Sequence, residues 1–131
     1  MKIDHVGYAV KRMDRALRSF GELGFNFEPV IEDTDRNIRI AFGKKDGYQV
    51  ELICPLDKEK ESPVDVYLGG VGSTPYHICY QSEDLDAEVE RLKQQGFRVV
   101  LEPRPAVAFG GKRVVFLMEL GVGLLEIVEK L

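Results

Sequence analysis

Four side chains carry most of the chemical potential in this sequence: His5, Glu51, His77 and Glu126. The two histidines are the only ones in the chain, and each sits in an apolar run, IDHVGYAV and YHICYQ. Glu51 is flanked by Val50, Leu52 and Ile53, and Glu126 interrupts Leu124, Leu125, Ile127 and Val128. Taken singly, each is ordinary, since an in-strand histidine is most often a hydrogen-bonded core residue and an in-strand glutamate often faces solvent. Their placement is not ordinary. Residues 2–25 and 74–97 superpose at an offset of 72 without a gap, which lays His5 on His77, Met13 on Leu85, Asp14 on Asp86, Gly24 on Gly96 and Phe25 on Phe97. A second histidine would land on the repeat-equivalent position about once in a hundred random placements. Glu51 and Glu126 lie 75 apart, so a three-residue insertion in the second half makes them equivalent too.

Burying a carboxylate in a sheet costs several kcal/mol unless a positive charge meets it. One divalent cation held by two imidazole nitrogens and two carboxylate oxygens would offset that cost for both glutamates. A mixed nitrogen and oxygen set suits Mn, Fe, Co, Ni or Zn better than Mg or Ca. Four protein ligands leave an octahedral ion two open positions for water or substrate and leave tetrahedral zinc none, which favours an octahedral ion. A substrate bound through an oxygen next to an acidic C–H would have its developing enolate charge held by such an ion, and a carboxylate at the ion's edge can take the proton.

The elements that must position these residues repeat as well. Residues 2–10 alternate loosely and read as a strand, with His5 on the face of Ile3. Met13, Ala16, Leu17 and Phe20 then mark a helical stripe that Gly24 ends. Residues 25–30, 37–42 and 48–54 read as strands, Glu32–Arg36 as an exposed turn, and Asp46-Gly47 as a tight hairpin turn. The second half repeats the order: a strand at 76–80, a helix marked by Leu85, Val89 and Leu92 that Ser82 or Asp84 could cap, and strands at 97–101, 113–118 and 123–128. PRPAVAFGGK reads as an irregular loop. Residues 57–73 shift to charge, proline and glycine and read as a linker between module 1–56 and module 74–131. GGVGST within it lacks the Gly-Lys-Ser/Thr ending of a phosphate loop and precedes a strand.

Bulk properties exclude other classes. The 131 residues are enough to bury one core, so a single domain over 1–131 is expected. Charged residues nearly balance at a formal net charge of -4, which argues against nucleic acid as a partner. No run approaches a membrane span of about 18 apolar residues, and no signal-peptide core precedes Asp4-His5. Cys54 and Cys79 fit no ligand spacing and read as reduced buried thiols, so a cytoplasmic protein is expected.

Paired βαβββ modules with His on the first strand and Glu on the last resemble the vicinal oxygen chelate superfamily, whose members include glyoxalase I, methylmalonyl-CoA epimerase and extradiol dioxygenases. The resemblance covers nearly the whole chain. Segments IDHVGYAV, VELICP, YHICYQSEDLDA, GGKRVVFL and GVGLLEIVE are most similar to methylmalonyl-CoA epimerase and its glyoxalase-like relatives. It implies an α+β fold in which the two tandem modules form a curled mixed sheet around a metal-binding cleft, with His5, Glu51, His77 and Glu126 as ligands of one divalent ion.

By the same resemblance Glu126 is the acid/base group as well as a ligand, and Glu51 is mainly a ligand. Methylmalonyl-CoA epimerases carry a further glutamate on the third strand of the first module. The stretch here is NIRIAFG, with Arg39 nearest that place as a candidate for an anionic substrate group, and a second base is missing unless Asp33 or Asp35 supplies it. The expected activity is an isomerase, epimerase or lyase acting beside a carbonyl or thioester, with methylmalonyl-CoA or a related acyl thioester as substrate. The alternatives are lactoylglutathione lyase (glyoxalase I) acting on glutathione thioesters and, in another class, a non-catalytic antibiotic-binding protein. Retention of all four ligands and the lack of tryptophan for a stacking cleft speak against the binder. Extradiol dioxygenases use three protein ligands and are usually longer. The sheet edges could also pair two chains into a homodimer.

Overall fold

The computed structural model describes residues 1–131. The chain divides into two compact units, His5–Tyr76 and a second made of Met1–Asp4 with His77–Leu131.

In the first unit, β1 (Lys2–Ala9) leads into α1 (Met13–Glu22), followed by β2 (Asn26–Phe27), β3 (Ile31–Asp33), β4 (Ile38–Lys45), β5 (Tyr48–Pro55) and a one-turn helix α2 (Asp65–Leu68). The strand order is β2-β4-β5-β1, with β3 on β4. β1 and β5 run parallel, aligning Val6 with Val50 and Gly7 with Glu51. β4 and β5 form the antiparallel hairpin expected at Asp46-Gly47, and both turn residues take positive φ, 52° and 83°. That is the backbone an Asp-Gly pair tolerates best.

Alternation along these strands separates two faces. Tyr8, Val10, Ala41, Val50, Leu52 and Cys54 face α1 and pack with Met13, Ala16, Leu17 and Phe20, the stripe read from the sequence. Phe25 and Phe27 close this core, and Phe20 meets both ring edge to face. His5 and Glu51 lie on the other face.

The second unit follows the same plan with β6 (Thr74–Ser82), α3 (Leu85–Gln94), β7 (Arg98–Pro105), a 3-10 turn at Val107–Phe109, β8 (Arg113–Glu119) and β9 (Gly123–Glu129). Its order is β6-β9-β8-β7. Leu85, Val89 and Leu92 of α3 pack on Val115, Leu117, Leu125 and Ile127. Asp84 caps α3 by accepting the Ala87 amide at 3.1 Å, and Ser82 Oγ accepts the Asp84 amide at 3.2 Å. Gly24 and Gly96 take the left-handed conformation after their helices, with φ of 97° and 94°. The first residues of β1 belong to this unit, where Gln81 Nε2 donates to Asp4 Oδ1 at 2.7 Å.

The fold is the mixed α+β class expected. Three details differ from the sequence reading. The start of the polar run 32–36 is strand, because Glu32 and Asp33 pair with Arg39 and Ile38 across the β3–β4 ladder. The linker 57–73 contains α2, whose preceding Ser62 amide donates to Asp65 Oδ2. β7 runs on through Pro103 to Pro105 with register shifts against β8. It ends the strand order, where proline costs no ladder bond on its outer side.

Candidate metal centre

In the first unit, β1 and β5 bring His5 beside Glu51. The parallel register places Glu51 opposite Gly7, two residues beyond His5 and on the same face. His5 Nε2 then lies 3.1 Å from Glu51 Oε1. β4 supplies the third member, since Phe42 sits opposite Glu51 in the antiparallel ladder and meets the His5 ring edge-on at 5.6 Å.

The second unit builds the same arrangement from the repeat. β6 and β9 align Cys79 with Glu126, the counterpart of Gly7 with Glu51. His77 Nε2 lies 3.5 Å from Glu126 Oε1. Phe116 sits opposite Glu126 and meets the His77 ring edge-on at 5.5 Å. All four polar residues are buried: His5 is 1% exposed, Glu51 3%, His77 4% and Glu126 4%. Glycine at position 7 and cysteine at 79 keep the floor between histidine and glutamate small.

Phe42 and Phe116 were missed from the sequence. They are 74 apart, so the signal was available as an aromatic repeat offset close to that of the glutamates. Each phenyl ring packs roughly perpendicular to its imidazole, at interplanar angles of 74° and 89°.

The donors fit a divalent transition ion. Within each unit one imidazole nitrogen lies beside one carboxylate oxygen, and these are donor types that such ions take. The 3.5 Å separation of His77 and Glu126 is longer than a good hydrogen bond. A buried carboxylate is costly without a positive charge near it, and a cation beside the imidazole and the carboxylate would meet that need.

Arg39 is not brought to this face. Its place opposite Cys54, one residue off the Ile38, Ile40 and Phe42 series, turns it to the side of β4 away from Glu51. It is exposed and pairs with Glu32 at 3.3 Å. Strand parity thus sets Arg39, the candidate for an anionic substrate group, on the face of β4 opposite to that of Glu51. Asp33 does face the Ile38 side, but it accepts from the Arg36 amide at 3.0 Å and from Arg36 Nη1 at 3.4 Å. Four residues of strand, ~13 Å, separate Ile38 from Phe42. Around Phe42, β4 therefore presents Ile40 and no carboxylate.

The free thiols of Cys54 and Cys79 are buried, and burial pushes the Cys54 thiol above its usual range. No helix is long and apolar enough to cross a membrane.

Comparison with known proteins finds relatives of this chain in both sequence and fold. The profile of the Glyoxalase/Bleomycin resistance protein/Dioxygenase superfamily matches residues 4–116. The chain is 30% identical over 122 residues to the ethylmalonyl-CoA/methylmalonyl-CoA epimerase of Cereibacter sphaeroides, covering 88% of this chain and 87% of that one. It is also similar to the crystal structure of methylmalonyl-CoA epimerase from Mycobacterium tuberculosis, at 32% identity and a TM-score of 0.84 over 99% of this chain and 88% of that one. A third likeness is to a Streptomyces coelicolor methylmalonyl-CoA epimerase variant in complex with 2-nitronate-propionyl-CoA, at 26% identity and a TM-score of 0.80 over 99% and 97% of the two chains.

Proposed function

The chain belongs to the Glyoxalase/Bleomycin resistance protein/Dioxygenase superfamily, and from that premise we propose that it is a divalent-metal-dependent isomerase that moves the proton next to a thioester carbonyl, with methylmalonyl-CoA or a close acyl-CoA as substrate. The observation that carries the reading is the repeated register. Gly7 with Glu51 and Cys79 with Glu126 set one buried imidazole–carboxylate pair in each unit. In this reading the two pairs serve one ion, Co, Ni, Mn, Fe or an expanded-coordination Zn, and residues 1–131 act as one domain.

His5, Glu51, His77 and Glu126 would hold a divalent ion, whose positive charge would lower the cost of the negative charge that develops when the C–H next to the substrate carbonyl ionises. The chain's own groups do the rest. Glu126 accepts the α-proton on a carboxylate oxygen and afterwards loses it to solvent, while His5, His77 and Glu51 hold position. Phe42 and Phe116 stiffen the imidazoles and exclude water, which strengthens the electrostatics of the site. Epimerisation requires the proton to come back from the opposite face of the planar intermediate. No carboxylate on β4 stands there, so solvent supplies that proton and exchange accompanies turnover.

The same observation favours a second reading. A lactoylglutathione lyase can take a proton from one carbon and deliver it to the next with a single carboxylate, and Ile40 in place of an acid suits that economy. The buried thiols fit a reducing, cytoplasmic setting for either enzyme. The experiment is to follow α-proton exchange of methylmalonyl-CoA in deuterated buffer and, in parallel, lactoylglutathione formation. Exchange that disappears in Glu126→Gln supports the first reading. Lactoylglutathione formation without exchange selects the second, and silence in both assays refutes both.

A further inference from the structure

We infer that the α1 side of the His5–Tyr76 unit carries a second binding site, for a nucleoside phosphate, which does not depend on the reading given to His5 and Glu51. A cavity of about 450 Å³ opens between β1, α1 and Ser73. That is within the range of small-molecule sites, which are apolar clefts with a few placed polar groups. Its floor includes Tyr8 and Phe20, half-buried rings that meet edge to face at 5.1 Å. Its rim carries Lys11, Arg12 and Arg15, and Ser73 Oγ accepts the Lys11 amide at 3.4 Å. Tyr8 is three residues from His5 on one strand, so the cavity opens on the opposite side of β1 from the His5–Glu51 pair.

The charge of this rim is not something the fold requires. The second unit makes the same strand-to-helix junction, and the residues equivalent to Lys11, Arg12 and Arg15 at the offset of 72 are Glu83, Asp84 and Ala87. There a carboxylate caps the helix, whereas no side chain caps α1. The chain as a whole carries a net charge of -4, yet the segment KRMDRALR places four cations around one acid. That acid, Asp14, is taken by Arg12 at 2.8 Å, and the guanidinium holds its carboxyl below the usual range. Lys11 and Arg15 remain at the cavity mouth for a phosphate, and the aromatic floor offers a surface to a planar base.

Nucleoside phosphate chemistry has two sources, a free nucleotide or the nucleotide end of coenzyme A. Titration of the full-length protein with adenosine monophosphate, coenzyme A and inorganic phosphate, read by calorimetry and by chemical-shift changes of the Tyr8 ring, tests the site. Adenosine monophosphate is expected to bind at least tenfold more tightly than phosphate, and to weaken at least tenfold in the Lys11→Glu/Arg15→Glu double variant. Displacement of adenosine monophosphate by coenzyme A assigns the thioester's nucleotide as the source, and its failure to displace assigns free nucleotide. If the charge reversal does not fold, Arg15→Gln with the Tyr8 shifts of the unmodified protein decides. Phosphate binding as tightly as the nucleotide, nucleotide affinity unchanged in the variants, or an unmoved Tyr8 ring overturns the proposal.

Discussion

Removing His5 should destabilise the protein mainly through what it does to Glu51. The two are buried and 3.1 Å apart, so His5→Ala leaves a buried carboxylate without its imidazole. Breaking a buried pair from one side costs about 3–5 kcal/mol. Glu51→Gln removes the charge and keeps a hydrogen-bonding group against the imidazole, which limits the loss to about 1 kcal/mol. Once the glutamate is neutral, deleting His5 no longer weakens the pairing of a buried charge. The double variant should therefore cost less than the sum of the singles, by a coupling of about 1–3 kcal/mol. Urea unfolding with chelator present measures all four corners of the cycle without help from a bound ion. Additivity to within about 0.5 kcal/mol would refute the view that the carboxylate's electrostatic need governs this face of the sheet.

Two further outcomes follow from the ladders. A Cβ at Gly43 would run into the Phe27 ring, so Gly43→Ala should cost about 1–3 kcal/mol in urea unfolding, and a change below about 0.5 kcal/mol would show that β2 gives way freely. Arg113 donates its amide and Nε to Glu129, at 2.7 and 2.9 Å, and its Nη2 to Asp86 at 3.0 Å. The Arg113 amide and guanidinium lower the Glu129 carboxyl, and the guanidinium lowers that of Asp86. Carboxyls depressed in the folded state stabilise it above their unfolded values of about 4, and that contribution is lost as the pH falls through the lower folded values. The stability advantage of the native protein over Arg113→Gln should therefore shrink between pH 7 and pH 3, and a constant difference would contradict these assignments.

Much of the fold was legible because the repeat shows each element twice. The Met13, Ala16, Leu17 and Phe20 stripe, the glycine stops and the Asp46-Gly47 turn are local signals, and local physics decides them. β3 was hidden because its Glu32 is matched by Arg39 on the next strand, a cross-strand pairing that leaves no apolar alternation to read. The same blindness to register applies to Arg39. Sequence proximity to the expected position could not say which face of β4 it takes, and a one-residue difference reverses that face. The histidines and glutamates stand out because both type and spacing recur, whereas Phe42 and Phe116 are set opposite their glutamates only by the β4–β5 and β8–β9 registers.

Metal stoichiometry decides whether the two histidine–glutamate pairs act together. In the proposed enzyme a pair from each unit serves one shared ion. Protein reconstituted with Co(II), freed of loose metal and assayed by elemental analysis should hold one ion per chain. Glu51→Gln in one unit and His77→Ala in the other should each abolish tight binding. Two ions per chain, no ion, or a variant in one unit that leaves full occupancy would contradict it.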